Sequence, residues 1–140
     1  MSIVNKLKNK AGNFKETARR TRYAKYYKNL LIDDKVILYD SYFGRGMICN
    51  PYAIFLELKN NKDFKDYTHV WVIEDKYGNE PVMEQFADHD NIYVIRRHSN
   101  DHLKYLATAH YIISNVSLPF YYCKKPGQIF VNTWHGTPIK

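Results

Sequence analysis

Five short apolar runs, separated by segments with helical patterning, limit this chain's fold more than any other feature. Each run has three to five residues, mostly β-branched, leucine or aromatic, as is typical of strands buried on both faces of a sheet. The runs are 36–39, 69–73, 92–95, 111–113 and 129–133, and the helical segments between them are 52–58, 81–86 and 101–109. Such alternation predicts βαβ units with right-handed crossovers. We therefore expect an α/β, Rossmann-like parallel sheet with flanking helices over residues 35–140.

Turn and cap residues between the runs predict where the helices start. Residues 41–49 form a predicted loop after the first strand. Asn50 followed by Pro51 suits an N-cap and first helical position, and Asp101 suits the N-cap of a later helix.

The N-terminal segment, residues 1–34, has a different character. The formal net charge of the chain is +7, and residues 1–35 hold ten Lys/Arg against three Asp/Glu, whereas the remaining residues are balanced. Apolar residues recur there at helical spacing. They are Ile3, Leu7, Ala11, Phe14 and Ala18. The pattern predicts a basic amphipathic helical arm, with Gly12 as a place where it can break and Asp33-Asp34 as its end.

Three functions suit this arm. As a membrane-surface helix, its cations would meet anionic headgroups, each contributing about 1 kcal/mol, while its apolar stripe enters the interface. The predicted membrane-binding residues are Lys6, Lys8, Lys10, Phe14, Lys15, Arg19, Arg20 and Arg22. Alternatively, the stripe packs on the globule, and these two roles are compatible. A nucleic-acid role ranks last because the sequence has no nucleic-acid-binding motif, so we expect no nucleic-acid partner.

Several polar residues follow predicted strands, at the edge where α/β sheets bind ligands. Gly44-Arg45-Gly46 can hold a phosphate through backbone N–H groups and the guanidinium, or can form a plain turn. Asn115 can contact a hydroxyl-bearing ligand or close a turn. His135 is either a general base or a structural histidine.

Other polar clusters give weaker predictions. His98 and His102 are four residues apart and His89 is near, but no carboxylate or cysteine completes a ligand set, so we predict no metal site. Arg96-Arg97 either attracts phosphate or is a solvated pair. Two widely spaced cysteines indicate a reduced, cytosolic protein.

Two groups of motifs resemble a known family. Ser114-Asn115, Leu118-Pro119, residues 125–128 and the run 132–140 (Asn-Thr-Trp-His-Gly-Thr-Pro-Ile-Lys) are similar to the CDP-glycerol glycerophosphotransferases, the teichoic acid primases and polymerases of Gram-positive bacteria. Residues 41–44 and 50–54 resemble that family's first βα loop. The likeness spans roughly residues 36–140.

The resemblance implies a GT-B architecture, in which an N-terminal acceptor domain faces a C-terminal domain that binds the CDP-linked donor. Residues 35–140 would be the acceptor domain, so we expect the chain to be part of a longer protein and inactive alone. The implied reaction moves glycerol phosphate from CDP-glycerol to a polyprenyl-linked glycerophosphate acceptor and releases CMP, with no cofactor. His135 would be the catalytic base. The implied acceptor-binding residues are Gly44, Arg45, Gly46, Asn115, Trp134, Gly136 and Thr137.

These expectations place the protein peripherally on the cytoplasmic face of the plasma membrane, in contact with anionic lipid. Two alternatives remain open at the level of sequence. The same fold could use CDP-ribitol or a nucleotide sugar as donor, or the chain could be a non-catalytic membrane- or RNA-binding module.

Overall fold

A computed structural model describes residues 2–75, 78 and 80–134 of the chain. Its strands are β1 (Asp33–Asp40), β2 (Thr68–Ile73), β3 (Ile92–Arg96), β4 (Ala109–Ser114) and β5 (Ile129–Asn132). Its helices are α1 (Ile3–Asn29), α2 (Cys49–Lys59), α3 (Glu80–Gln85) and α4 (Asn100–Thr108), with a 3-10 turn at Lys62–Phe64. All five predicted strands are therefore confirmed within a few residues at their ends.

The five strands form one sheet in the order β3-β2-β1-β4-β5, and every neighbouring pair is parallel. The central strand β1 aligns Leu38 with Val70 of β2 and with Ile112 of β4. All three side chains are at most 1% exposed, as expected for a sheet covered on both faces. The predicted Rossmann-like parallel sheet is thus confirmed.

Helices cover the two faces of the sheet through separate apolar clusters. On one face, Leu103 and Leu106 of α4 and Tyr23 of α1 pack against Val36, Leu38 and their neighbours. On the other, Phe55 of α2 and Phe86 pack against Tyr39 and Trp71. The Tyr39 and Trp71 rings stack with their centroids 4.8 Å apart. Because both faces are filled, the strands present their free loops at the two ends of the sheet.

Helix α1 is continuous for 27 residues. The Ser2 hydroxyl caps it by accepting a hydrogen bond from the Asn5 N–H at 3.2 Å. The predicted break near Gly12 is absent, since the helix runs through this residue. The predicted end at Asp33-Asp34 is also wrong, because α1 ends at Asn29 and these aspartates begin β1.

Two predicted helix starts are displaced. Helix α2 begins at Cys49, so Asn50 lies in its first turn and is not its N-cap. The N-cap of α4 is Ser99, whose hydroxyl accepts a hydrogen bond from the His102 N–H at 3.2 Å, and Asp101 lies in the first turn. A serine hydroxyl two residues earlier satisfies the same type of N–H group that an aspartate cap would satisfy.

Candidate active site

The carboxyl ends of β1 and β4 form the point at which the order of the strands reverses. After β1 the chain adds β2 and β3 on one side, and it then crosses back to place β4 and β5 on the other side. In open α/β sheets, a crevice forms at such a switch point and is the usual position of a ligand. The loop at residues 41–48 and the turn at residues 114–116 flank it.

The loop after β1 has an unusual left-handed backbone. Tyr42, Phe43 and Gly44 have φ of 48°, 57° and 81°. A Cβ on Gly44 would lie 2.8 Å from the backbone nitrogen of Glu74, and the Gly44 carbonyl accepts a hydrogen bond from that N–H at 2.7 Å. Only glycine therefore fits at this position, and the loop is fixed to the end of β2.

The other left-handed residues lie at the same edge of the sheet. Besides Tyr42 and Phe43, the non-glycine residues of positive φ in the described parts of the chain are Cys49, His98 and Trp134. All five follow the carboxyl ends of β1, β3 or β5. Such conformations cost about 1–3 kcal/mol each and cluster at functional sites. The backbone thus marks the carboxyl edge as the candidate site.

Asp40, the last residue of β1, is a buried carboxyl that the sequence reasoning missed. It is only 3% exposed, and its Oδ1 accepts a hydrogen bond from the Gly44 N–H at 2.8 Å. Burial raises its pKa to about 6, while the Gly44 bond and the Arg97 charge act in the opposite direction. A buried group that titrates near neutral pH at a ligand-binding edge is a functional candidate. The only signal in the sequence was an acidic residue directly after a run of four apolar residues.

Asn115 connects the two sides of the switch point. Its Oδ1 accepts a hydrogen bond from the Tyr42 N–H at 2.9 Å, and the residue is 1% exposed. The turn itself is closed by Ser114, whose hydroxyl contacts the backbone of Val116. The Asn115 Nδ2 is buried without a partner among the described residues. This amide remains able to donate to a ligand oxygen.

The three residues Gly44-Arg45-Gly46 follow β1, as the sequence predicted, and therefore lie at the switch point. Two of their backbone N–H groups are already hydrogen-bonded within the protein. The N–H groups of Gly44 and Arg45 donate to Asp40 Oδ1 and to the Ser41 carbonyl, at 2.8 and 2.9 Å. Gly46 is buried, and the Arg45 side chain is exposed. The guanidinium of Arg45 is therefore the more available group for an anion.

The end of β5 reaches the same edge. The Thr133 N–H donates to the Ser114 carbonyl at 2.9 Å, and Asn50 Nδ2 donates to the Thr133 carbonyl at 3.4 Å. Trp134 follows with its side chain 71% exposed. The predicted site residues His135, Gly136 and Thr137 come next in the chain and lie outside the described residues.

The remaining histidines do not form a metal centre in the part of the chain that the structure describes. His102 lies on α4, as predicted, and is buried, with its Nδ1 accepting a hydrogen bond from the His98 N–H at 2.9 Å. The Arg96-Arg97 pair is split. Arg96 is exposed and contacts Asp75 at 3.2 Å, while Arg97 is half-buried and its guanidinium lies over the Phe43 ring at 5.2 Å.

The eight predicted membrane-binding residues fall into two groups. Five lie on the first half of α1 and are exposed: Lys6, Lys8, Lys10, Phe14 and Lys15. The other three contact or face the globule. Arg19 lines a cavity, Arg20 lies 4.9 Å from the Phe120 ring centre, and Arg22 donates to Asn100 at 2.7 Å. No helix among the described residues has the length and apolar character to cross a bilayer.

The family model "CDP-Glycerol:Poly(glycerophosphate) glycerophosphotransferase" matches residues 21–140. The match takes in the sheet, α4 and the last turns of α1. The chain belongs to this family, and the resemblance seen in its motifs is confirmed.

Teichoic acid poly(glycerol phosphate) polymerases are among its relatives. The protein of that name from Bacillus spizizenii is 38% identical over 108 residues, which are 77% of this chain and 26% of the relative. The one from Bacillus subtilis is 30% identical over 129 residues, or 87% of this chain and 16% of the relative. The chain thus spans about a quarter or less of these relatives.

Solved structures of the wall teichoic acid polymerase TagF share the fold. One matches with a TM-score of 0.66 at 21% identity, covering 100% of this chain and 33% of the other. A variant soaked with CDPG matches with a TM-score of 0.68 at 20% identity, covering 99% of this chain and 33% of the other. At this identity the likeness establishes the architecture, a five-stranded parallel sheet with flanking helices.

Proposed function

We propose that this chain is the acceptor-binding N-terminal part of a glycerophosphotransferase of the GT-B type. It would present a teichoic acid acceptor to CDP-glycerol held by a C-terminal donor domain. The observation that carries the proposal is the family match over residues 21–140. Parts of the motifs that resemble the family, residues 41–44, Ser114-Asn115 and 132–134, also meet at the carboxyl edge of one sheet.

In the proposed reaction an acceptor hydroxyl oxygen attacks the β-phosphorus of CDP-glycerol. A new P–O bond forms, the bond from this phosphorus to the bridging oxygen breaks, and CMP leaves. Because an alcohol is a poor nucleophile near neutral pH, a base must take its proton in the transition state. We assign this role to His135, which follows β5 by three residues, since imidazole is neutral and basic near pH 7.

Acceptor binding is assigned to residues around the switch point. Arg45 would contact an acceptor phosphate, since a guanidinium fork matches phosphate oxygens. Asn115 Nδ2 would donate to an acceptor oxygen, which would satisfy its buried amide. Trp134, Gly136 and Thr137 would complete the site around His135.

Membrane attachment is assigned to the first half of α1. Ile3, Leu7 and Phe14 are 77%, 61% and 76% exposed. At 3.6 residues per turn, their side chains project from the helix within about 40° of one another around the helix axis. Exposed apolar side chains between lysines suit an anionic bilayer surface. This arm would hold the domain near a polyprenyl-linked acceptor at the cytoplasmic membrane face. The expected division into an arm of residues 1–34 and an acceptor domain of residues 35–140 moves back to the end of α1 at Asn29, because β1 begins at Asp33.

The test is CMP release by a protein that contains this chain together with a donor domain. CDP-glycerol and a lipid-linked glycerophosphate acceptor are supplied, and wild type is compared with His135→Ala and with His89→Ala, whose side chain is exposed elsewhere. We expect release to fall at least about a hundredfold in His135→Ala and to stay unchanged in His89→Ala. Turnover within a few-fold of wild type in a folded His135→Ala protein would refute the base assignment.

A further inference from the structure

A cavity lies beside the loop after β1, on the face of the sheet covered by α1 and α4. It has a volume of about 260 Å³. Its walls come from four regions that are distant in sequence: Glu16 and Arg19 of α1, Phe43 of the loop after β1, Arg97 and His98 after β3, and residues 118–121 after β4. The cavity therefore joins the basic helix to the loop of the candidate active site.

Among the ionisable groups that line the cavity, basic ones outnumber acidic ones. They are Arg19, Arg97 and His98, against the single carboxylate of the exposed Glu16. Arg97 also lies close enough to the buried Asp40 carboxyl to act against the rise of its pKa by burial. Burial first, and then the charges of Arg97 and Arg19, lower the pKa of His98 to about 4. Burial thus keeps the His98 imidazole neutral near pH 7, while the two guanidinium charges act against a further positive charge and favour an anion.

Two buried polar atoms of this cluster have no partner. Arg97 Nε and His98 Nδ1 make no hydrogen bond to any described residue. An unpaired buried polar group costs about 1–3 kcal/mol, and a charged one costs more. Phosphate oxygens are suited to satisfy a guanidinium N–H, because the fork geometry matches them.

The cluster is held in place by buried scaffolding. The Arg97 N–H donates to the Ile73 carbonyl at 2.7 Å, and its guanidinium lies over the Phe43 ring. His98 has φ of 64°, and its N–H donates to Nδ1 of His102, which is 1% exposed. The left-handed backbone at His98 is thus fixed by a buried histidine. Such support is expected of a preorganised binding site and not of a solvated basic pair.

We propose that this cavity binds the phosphate group of a mono- or diester, through the guanidinium of Arg97 with help from Arg19 and His98. Under the proposed function, on which the identity of the natural ligand rests, that group is a phosphodiester of the acceptor chain on its way from the membrane-facing helix to the switch point. A phospholipid headgroup beside α1 offers the same chemistry.

The experiment titrates the 140-residue chain with inorganic phosphate and follows the backbone amide and histidine imidazole signals by NMR. Arg97→Gln is compared with Arg96→Gln, a matched control in which the neighbouring arginine is exposed and paired with Asp75. We expect saturable shifts at residues 97 and 98 in the wild type. Affinity should fall about tenfold or more in Arg97→Gln and stay within about twofold in Arg96→Gln.

A second variant keeps the test decisive if Arg97→Gln does not fold. Arg19→Gln changes only a side chain of α1 and should also weaken phosphate binding. Shifts that do not saturate, or equal affinities in the Arg96, Arg97 and Arg19 variants, would overturn the proposal. Because this assay needs no donor domain, its failure is distinguishable from failure of the transfer reaction.

Two further arms identify the source of the phosphate. One uses soluble oligo(glycerol phosphate), and the other uses phosphatidylglycerol vesicles. Weakening of oligomer binding by Arg97→Gln supports the acceptor chain as ligand. Weakening of vesicle binding alone supports the cavity but overturns the acceptor assignment.

Discussion

The carboxyl edge of the sheet and the first half of α1 are the two regions assigned to ligands, and they are built in opposite ways. The edge contains left-handed residues, a buried carboxyl and loops connected by hydrogen bonds. Residues 3–17 form a regular helix whose side chains are all exposed. A catalytic site needs side chains held in fixed positions, whereas binding to a membrane surface requires only exposed apolar and basic side chains.

The second half of α1 shows that this contrast comes from packing and not from composition. Tyr23 is buried, and its hydroxyl exchanges hydrogen bonds with the Cys123 backbone at 2.9 and 3.0 Å. Lys125 Nζ donates to the carbonyl of Tyr27 at 2.7 Å and also contacts the carbonyl of Leu30. One basic helix is thus fixed to the domain by its end and exposed at its start.

The largest expected effect is that of Gly44→Ala. An added Cβ would meet the Glu74 backbone at 2.8 Å, and alanine disfavours φ of 81°. We expect the free energy of unfolding, measured in urea, to fall by about 2–4 kcal/mol. A change below about 0.5 kcal/mol would mean that the loop after β1 is not held as described.

Asp40→Asn should change how the free energy of unfolding depends on pH, because it removes a buried carboxyl that titrates. The pKa of the Asp40 carboxyl is raised from 3.8 to about 6 in the folded protein. Its protonated form therefore stabilises the fold fully below pH 3.8, and this contribution is lost as the pH rises through 6. Asparagine can still accept the Gly44 hydrogen bond and does not titrate. We therefore expect the stability of Asp40→Asn relative to wild type to rise by about 2–3 kcal/mol between pH 4 and 7.

The measurement is chemical unfolding of both proteins across this pH range. His69, His98 and His102 have lowered pKa values and destabilise the fold as pH falls below 6.5, but they are common to both proteins and cancel in the difference. A difference independent of pH would contradict the raised pKa of Asp40.

Phe14→Glu tests the exposed half of α1 as a membrane surface. It removes an apolar side chain that is 76% exposed and adds a negative charge. We expect co-sedimentation with anionic vesicles to weaken about tenfold or more. Leu31→Glu, at a residue 88% exposed but outside the helix, is the control and should bind nearly as well as wild type. Equal loss in both variants would show that charge alone, and not the apolar stripe, controls binding.

The smallest effect should come from Gly12→Ala. Nothing lies within 4 Å of an added Cβ, and the residue is in a helix interior. Alanine favours a helix over glycine by about 1 kcal/mol. The helical circular dichroism signal should rise slightly. The midpoint of urea unfolding should barely change, because the first half of α1 has few tertiary contacts. A loss of stability would mean that Gly12 packs closely against another part of the protein.

The strands were predictable from the sequence because a parallel sheet buries both faces and leaves nearly continuous apolar runs. The contact between Asn115 and Tyr42 was not, since it depends on strand order across 73 residues. Asp40 was missed because an acidic residue after an apolar run also suits a turn. The burial of Tyr23 was not predicted, because lysines and arginines surround it in the sequence and lie on neighbouring faces of the same helix. His135 remains a prediction from its motif.

The most direct test of the account is to locate the acceptor on the domain. Soluble oligo(glycerol phosphate) would be titrated into the isotope-labelled chain at moderate salt, and backbone amide shifts would be recorded. If the acceptor binds at the switch point, saturable shifts are expected there, in Arg45, Asn115 and Trp134. Shifts confined to the lysines of α1, and abolished by added salt, would contradict the account.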